Sequence, residues 1–174
     1  MSVPNEFMVI TASNGENLRL AERFKKIGQE LGATAEVLDL TSLDLPLFNP
    51  RVNCETGNPA IISNLCHQMA AVPRWVICAP EYNGSIPPVF TNAVAWMTKE
   101  NDDFRSLFNG RPIAMATFSG GGGMNLLTSM RIQLTHLGAQ VVGRQLLSNK
   151  EKPAKDESIK ELLLLLLQLN PLIS

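Results

Sequence analysis

The chain is poor in charge of either sign. Of its 174 residues only 18% are charged, and 15 basic against 16 acidic residues leave a formal net charge of -1. This balance argues against nucleic acid as a main partner, because nucleic-acid binding depends on a strongly basic surface. It also disfavours an acidic electron carrier that finds its partner by long-range electrostatic steering.

Cysteine is scarce as well. The three cysteines, Cys54, Cys66 and Cys78, are far apart and form no C-x-x-C pair, so we expect no metal site. Reduced thiols are typical of cytoplasmic proteins, and we expect a cytoplasmic protein here. The first residues, MSVPNEF, lack the charged region and long apolar run of a secretory signal.

No apolar run is long enough to suggest a membrane protein. The run Leu162–Leu167 is short, and its extension to residues 159–169 includes Lys160 and Glu161. A spanning helix needs about 20 apolar residues. We therefore expect this helix to lie in the core or at a subunit interface.

What the chain does contain is a regular alternation of strand and helix patterns. Apolar runs predict five strands, at residues 7–11, 34–40, 75–79, 111–118 and 139–143. Residues spaced for one buried face predict five helices, at 17–31, 60–71, 87–99, 124–137 and 156–169. Near-continuous apolar strands are typical of a parallel sheet covered on both faces. We predict a single α/β domain over residues 1–174, with a doubly wound five-stranded parallel sheet.

Three strand-to-helix junctions carry polar or glycine-rich residues, at 11–17, 80–86 and 118–123. In a doubly wound sheet all three lie at the carboxyl ends of the strands, where ligands bind. The first and third can aim main-chain N–H groups at an anion. The middle one offers an aromatic ring and an amide. Together they suit a planar aromatic ligand with a phosphate, either flavin mononucleotide (FMN) or a purine nucleotide.

The middle junction also carries a specific motif. Residues 80–87 run Pro-Glu-Tyr-Asn-Gly-Ser-Ile-Pro, followed by Asn92, Ala93 and Trp96. This motif closely resembles the signature of the NAD(P)H-dependent FMN reductase family, flavodoxin-like flavoproteins that include quinone, azo-dye and chromate reductases. The Ser-Gly-rich loop at 119–123 and the Arg-x-x-Leu-x-x-Leu-Gly-Ala pattern at 131–139 match further family features. The first junction matches in part, since it is shorter than usual and contains no arginine.

The resemblance implies a flavodoxin-like sheet of strand order 2-1-3-4-5 that binds FMN at its carboxyl edge. Residues carried over by position fall into a wall along the flavin ring, a loop on its other side and a phosphate loop. They are Pro80, Glu81, Tyr82, Asn83 and Gly84 for the wall, Ser119, Gly120 and Gly121 for the facing loop, and Ser13, Asn14 and Asn17 for the phosphate.

The same resemblance implies an oxidoreductase that takes electrons from NADPH or NADH and passes them to a quinone, a flavin or a similar small molecule. Because the flavin carries the hydride chemistry, we expect no catalytic side chain. Family members are commonly dimers or tetramers, so we expect a homodimer or homotetramer.

Several alternatives stay open at this point. The protein could be a flavodoxin-like electron carrier, or a flavin-binding or scaffolding protein without turnover. Asn83-Gly84 is also the preferred pair of a two-residue hairpin turn, although the helix signals that follow argue against one. For Glu81 we favour a structural role over a place beside the ring. The three polar residues of the first junction could simply cap the first helix.

Overall fold

The sheet is built from parallel strands, of which the central ones are buried on both faces. The computed structural model describes residues 5–51 and 59–172. Its first four strands are β1 (Glu6–Thr11), β2 (Thr34–Asp39), β3 (Trp75–Cys78) and β4 (Pro112–Phe118). The spatial order is β2-β1-β3-β4-β5, and every pairing along it is parallel. The predicted strand order is confirmed.

The edge of the sheet next to β4 differs from the prediction. The expected strand at 139–143 is reduced to β5 (Gln140–Val141), and a sixth strand, β6 (Leu146–Ser148), follows it. β5 pairs with the start of β4, and β6 pairs with its end at residues 116–118. Between them the Arg131 guanidinium donates to the Val142 carbonyl oxygen at 2.9 Å. The single fifth strand of the prediction is thus two short strands beside β4.

Helices cover both faces of this sheet. They are α1 (Glu16–Glu30), α2 (Ala60–Ala70), α3 (Pro88–Met97), α4 (Met124–His136) and α5 (Asp156–Gln168), with a 3-10 turn at Leu40–Ser42. Side chains alternate along β1, so Phe7 and Val9 pack under α1 and α5. Met8 and Ile10 face the opposite core, formed with α2, α3 and α4. This alternation gives two apolar layers around one sheet.

A close contact fixes α1 against β1. A Cβ atom added to Gly28 would lie 2.3 Å from the Phe7 ring, so the helix can approach this closely only with glycine at that position. Because α1 directly follows β1 in the chain, its amino end lies at the carboxyl edge of the sheet.

The leucine-rich helix α5 packs on the sheet, as expected for a core helix. Its buried residues are Ile159, Leu162, Leu163 and Leu166. Leu164 and Leu165 are partly exposed, so the helix is amphipathic rather than apolar all round. Within residues 5–51 and 59–172, no helix combines the length and apolarity that crossing a membrane requires.

Candidate functional site

Hydrogen bonds join the three polar junctions at the carboxyl edge of the sheet into one unit. We name them the first loop (residues 12–15), the second loop (79–87) and the third loop (119–123), which follow β1, β3 and β4. The Thr117 hydroxyl donates to the Ala79 carbonyl oxygen at 2.6 Å, which ties the ends of β4 and β3 together. The sequence prediction that these three loops lie at one edge agrees with the parallel sheet.

The Asn17 side chain ties the first turn of α1, next to the first loop, to the end of β4, next to the third loop. Its Nδ2 donates to the Phe118 carbonyl oxygen at 2.9 Å, and its Oδ1 accepts from the Phe118 N–H at 2.8 Å. Asn17 is only 2% exposed. Both polar atoms of its amide are thus engaged with main chain. What Asn17 can offer a phosphate is its main-chain N–H, not its side chain.

The amino end of α1 is left without a side-chain cap. Gly15 occupies the N-cap position, and among the described residues no side chain accepts a capping hydrogen bond from the first turn. The alternative that the polar residues of the first loop merely cap α1 therefore finds no support. Asn14 is exposed, whereas the Ser13 carbonyl oxygen accepts from the Thr11 hydroxyl at 2.8 Å. Uncapped N–H groups at a helix amino end form a favourable environment for an anion.

The second loop contains a tight turn. Asn83 and Gly84 have φ angles of 52° and 69°. The Tyr82 N–H donates to the Ser85 carbonyl oxygen at 3.2 Å, and the Ser85 N–H donates back at 3.0 Å. Positive φ at both central residues is the signature of a type I′ turn. The expectation against a two-residue hairpin turn was wrong, because α3 starts only at Pro88 and leaves room for the turn.

This turn presents its tip to solvent. Tyr82 is 50% exposed. In the part of the chain that the structure describes, the N–H groups of Asn83 and Gly84 donate to no other protein group. A ligand edge that carries hydrogen-bond acceptors can bind both N–H groups without any change in the turn. A planar ring with a polar edge fits this arrangement.

Glu81 connects the second loop with the third. Its N–H donates to the Ser119 hydroxyl oxygen at 3.3 Å. Its carboxylate Oε2 accepts from the Leu126 N–H, in the first turn of α4, at 3.1 Å. A carboxylate at a helix amino end is stabilised by the helix dipole. Glu81 therefore has a structural role within one subunit. Its carboxylate also lies next to Gly121 of the third loop.

The third loop can turn as it does only with glycine at its end. Gly123 has φ 76°, and a Cβ there would lie 2.5 Å from the Thr117 Cγ2. Ser119 is 7% exposed, whereas Gly120 and Gly121 are exposed. The exposed main chain of Gly120 and Gly121 is open to close approach by a ligand. Ser119 is buried, and its hydroxyl oxygen holds the second loop by accepting from the Glu81 N–H.

Two residues of the family motif have a role that sequence reasoning did not assign. The Asn92 and Trp96 side chains both donate to the Pro46 carbonyl oxygen, at 3.0 and 2.7 Å. Asn92 also accepts from the Phe48 N–H at 2.7 Å, and the Phe48 ring packs edge-on against Trp96. An amide and an indole four residues apart on one helix face could have indicated such a clamp. Trp96 is buried and packs against Phe48 besides making this hydrogen bond.

The side chains with shifted pKa values are buried structural groups. Burial, reinforced by the Glu100 charge, raises the pKa of the Cys66 thiol to about 11. Burial alone raises the pKa of Cys78 in β3 and lowers the pKa of Arg74. It lowers the pKa of Arg111, which lies over the Trp75 ring, to about 10. Cys66 and Cys78 are free thiols, and Cys54 lies outside the described residues.

Comparison with known proteins finds reductases among the proteins that this chain resembles in sequence. A quinone reductase from Escherichia coli (strain K12) is 32% identical over 137 residues, which are 74% of this chain and 71% of the relative. An NADPH azoreductase from Bacillus sp. (strain OY1-2) is 26% identical over 140 residues, 73% of this chain and 74% of the relative. The structure of the flavoenzyme NAD(P)H:(acceptor) oxidoreductase FerB from Paracoccus denitrificans superposes with a TM-score of 0.75 at 19% identity, covering 94% of this chain and 96% of that one.

The profile of the NADPH-dependent FMN reductases matches residues 6–153. That range begins at β1 and includes all three loops at the carboxyl edge. FMN as cofactor and a nicotinamide nucleotide as electron donor come with this family. On the extent of that match and the identity to the quinone reductase, this chain belongs to the NADPH-dependent FMN reductase family.

Proposed function

We propose that this protein binds FMN across the three loops and uses NAD(P)H to reduce a quinone or a similar flat acceptor. One observation carries the proposal. Within residues 5–51 and 59–172, main-chain N–H groups without a protein acceptor lie at two points of one sheet edge, the first turn of α1 and the Asn83-Gly84 turn. A ligand with an anion at one end and a polar ring at the other matches this pair of sites.

The phosphate end of the ligand belongs at the first loop. We assign it to the main-chain N–H groups at the start of α1, including that of Asn17, and to the side chains of Ser13 and Asn14. Glu16 in the first turn would repel a phosphate, but its carboxylate pairs with Arg19 at 2.5 Å. The ion pair reduces that repulsion, so a phosphate can bind although the first loop contains no arginine.

The ring end belongs between the second and third loops. We assign Pro80, Glu81, Tyr82, Asn83 and Gly84 to one side and Ser119, Gly120 and Gly121 to the other. The N–H groups of Asn83 and Gly84 are held by the turn before any ligand arrives. Such fixed donors stabilise negative charge at the polar edge of a ring without reorganisation.

The chemistry itself comes from the cofactor. Bound FMN supplies hydride transfer, and the protein supplies binding, orientation and electrostatics. The exposed side chain of Tyr82 and the exposed main chain of Gly120 leave one side of the site open. An open, flat site admits planar molecules in turn, first the nicotinamide and then the acceptor, which gives ping-pong kinetics. The quinone reductase and azoreductase relatives support acceptors of this shape.

We propose a cytoplasmic homodimer or homotetramer with one FMN domain per chain. The support is a face of the molecule with little charge. Helix α3 contains no charged residue, and in α4 the Arg131 side chain is directed to the Val142 carbonyl oxygen. Met124 and Ile132 on α4 are 54% and 66% exposed. Exposed apolar side chains on helices with little charge are typical of subunit interfaces.

An absorption spectrum of the purified protein tests the function. We expect a yellow protein, or one that takes up FMN on titration, and bleaching when NADPH is added anaerobically. Flavin that binds but is not bleached by NADPH or NADH would indicate an electron carrier instead. A stable oligomer that takes up no FMN would indicate a scaffolding protein and would contradict the proposal.

A further inference from the structure

A groove extends from the third loop along the side of α1. It consists of two adjoining cavities that share Phe118, the last residue of β4. One, of about 250 Å³, is lined by Arg19, Arg23 and Pro153 among others. The other, of about 330 Å³, is lined by Gly120, Asn149, Lys150 and Glu151 with Phe118. We call these two cavities the Phe118 groove.

The walls of the Phe118 groove are fixed in place. The main chain of Phe118 is held by Asn17 on both its N–H and its carbonyl oxygen. On the far wall, the Ser148 hydroxyl donates to the Thr117 carbonyl oxygen at 2.7 Å. At the closed end, Arg23 donates to the Ala154 carbonyl oxygen at 2.8 Å. The groove is therefore formed before a ligand enters.

A closed turn presents Lys150 at the rim. The Asn149 N–H donates to the Lys152 carbonyl oxygen at 3.0 Å, and the Lys152 N–H donates to the Asn149 side-chain oxygen at 2.6 Å. Lys150 lines the groove from this turn and is exposed. Among the residues with described positions, no carboxylate lies within 4.0 Å of its amine. Lys150 is thus a cation available to a ligand.

The other charges at the groove limit the kind of ligand. Arg19 and Arg23 are paired with Glu16 and Asp156, each at 2.5 Å. Glu151 stands beside Lys150 and would repel an extended polyanion. One available cation beside a half-buried aromatic ring suits a small ligand with a phosphate group and a flat base. A nucleotide has both.

We infer that the Phe118 groove binds the adenosine diphosphate half of NAD(P)H, with Lys150 contacting a phosphate group. This inference rests on the proposed function, because Gly120 belongs both to the groove and to the proposed flavin site. A dinucleotide that lies in the groove would extend its nicotinamide across Gly120 toward the flavin ring. Lys150 is then a specificity-determining residue for the electron donor and takes no part in binding FMN.

Kinetics of a charge reversal at Lys150 test the inference. In flavin-loaded Lys150→Glu we expect the KM for NADPH to rise about tenfold, because the loss of one hydrogen bond to a charged group weakens binding by about this factor. The kcat and the Kd for FMN should not change. Lys152→Glu is the matched control, because Lys152 is in the same turn but lines neither cavity of the Phe118 groove. Its KM for NADPH should stay within about twofold of the parent value.

Calorimetric titration of NADP⁺ into the flavin-loaded protein separates this inference from the proposed function. NADP⁺ binding that weakens in Lys150→Glu but not in Lys152→Glu supports the groove, even if the protein shows no turnover. A protein that turns over NADPH with the same KM in both variants contradicts the groove and leaves the proposed function in place. Equal weakening in both variants also contradicts it, because only general surface charge would then matter.

Discussion

The Oε2 atom of Glu81 lies 3.1 Å from the main-chain nitrogen of Leu126 and accepts its hydrogen bond. Glu81 belongs to the loop after β3, and Leu126 to the first turn of α4. One side chain thus sets the distance between the two loops that we assign to the flavin ring. In the site that we propose, Glu81 would thus hold the protein around the flavin ring as well as border it.

Replacing Glu81 separates its charge from its hydrogen bond. Glu81→Ala removes the acceptor at the amino end of α4, so we expect a loss of about 1 kcal/mol in unfolding free energy and weaker FMN binding. Glu81→Gln keeps an acceptor and should lose less than half as much. Urea unfolding and FMN titration of both variants check this. Equal losses in the two variants would show that the charge, not the bond, matters.

Gly84 should be more sensitive than Glu81. Its φ of 69° is costly for any residue with a Cβ, so Gly84→Val should lose about 1–2 kcal/mol and distort the turn that holds the Asn83 N–H. We expect the Kd for FMN to rise more in Gly84→Val than in Glu81→Gln. Gly143→Ala is the control, because a Cβ at Gly143 would meet open space. The opposite order of FMN affinities would contradict the roles we assign within the second loop.

Asn17 and Asn14 should give opposite results although both are asparagines of the same loop region. Asn17→Ala removes two hydrogen bonds to buried main chain and should cost about 2–3 kcal/mol of unfolding free energy. Asn14 is exposed, so Asn14→Ala should leave stability within about 0.5 kcal/mol of the parent and weaken FMN binding. Thermal unfolding without FMN, compared with FMN titration, distinguishes the two. Stability loss in Asn14→Ala would overturn the assignment.

The clamp on residues 46–48 can be measured with Trp96 and Asn92. Trp96→Phe keeps a ring against Phe48 but loses the bond to the Pro46 carbonyl oxygen, at a cost of about 1 kcal/mol. Asn92→Ala loses a second bond to the same oxygen. Because the two donors share one acceptor, the double variant should deviate from the sum by about 0.5 kcal/mol or more. Strict additivity in urea unfolding would mean that the clamp does not act as a unit.

Alkaline pH should weaken the fold through Cys66. The pKa of its thiol is about 11 in the folded protein and 9.0 as the reference for the unfolded chain. The folded state therefore binds more protons between these values, so stability is complete below pH 9 and falls as pH rises to 11. We expect Cys66→Ala to flatten this fall by about 1 kcal/mol. Unfolding free energies of both proteins at pH 8 and pH 10.5 measure the difference. An unchanged slope would contradict it.

Most of the fold could be predicted from the sequence, because the strands and helices show the hydrophobic periods that are typical of each. Continuous apolar runs indicated β1 to β4, and one-sided patterns indicated the five helices. Strand β6 was not predicted, because it has only three residues, Leu146–Ser148, with Gly143 and Arg144 before them. So short a segment has no period, and its strand conformation comes from pairing with residues 116–118 of β4.

For the candidate site, the sequence predicted only which loops lie together. The three junctions were placed at one edge because parallel strands end there. The bonds that hold them together were out of reach, since Asn17 and Glu81 bind main-chain groups 101 and 45 residues away. Nearly every residue has the same main-chain N–H and carbonyl groups, so the sequence does not show which of them a distant side chain will bind. The Asn83-Gly84 turn was predictable from its residue pair, and the helix signals after it were given too much weight.

The bond between Asn17 and Phe118 has a consequence for the growing chain. Residue 17 leaves the ribosome about 5–20 s before residue 118, at the usual rates of synthesis. During that interval the first loop exists without the strand that holds it. The proposed phosphate end of the site is then complete only when β4 has paired with β3. We therefore expect FMN to bind each chain only after β4 has been made and paired, and we expect fragments that end before β4 not to hold FMN.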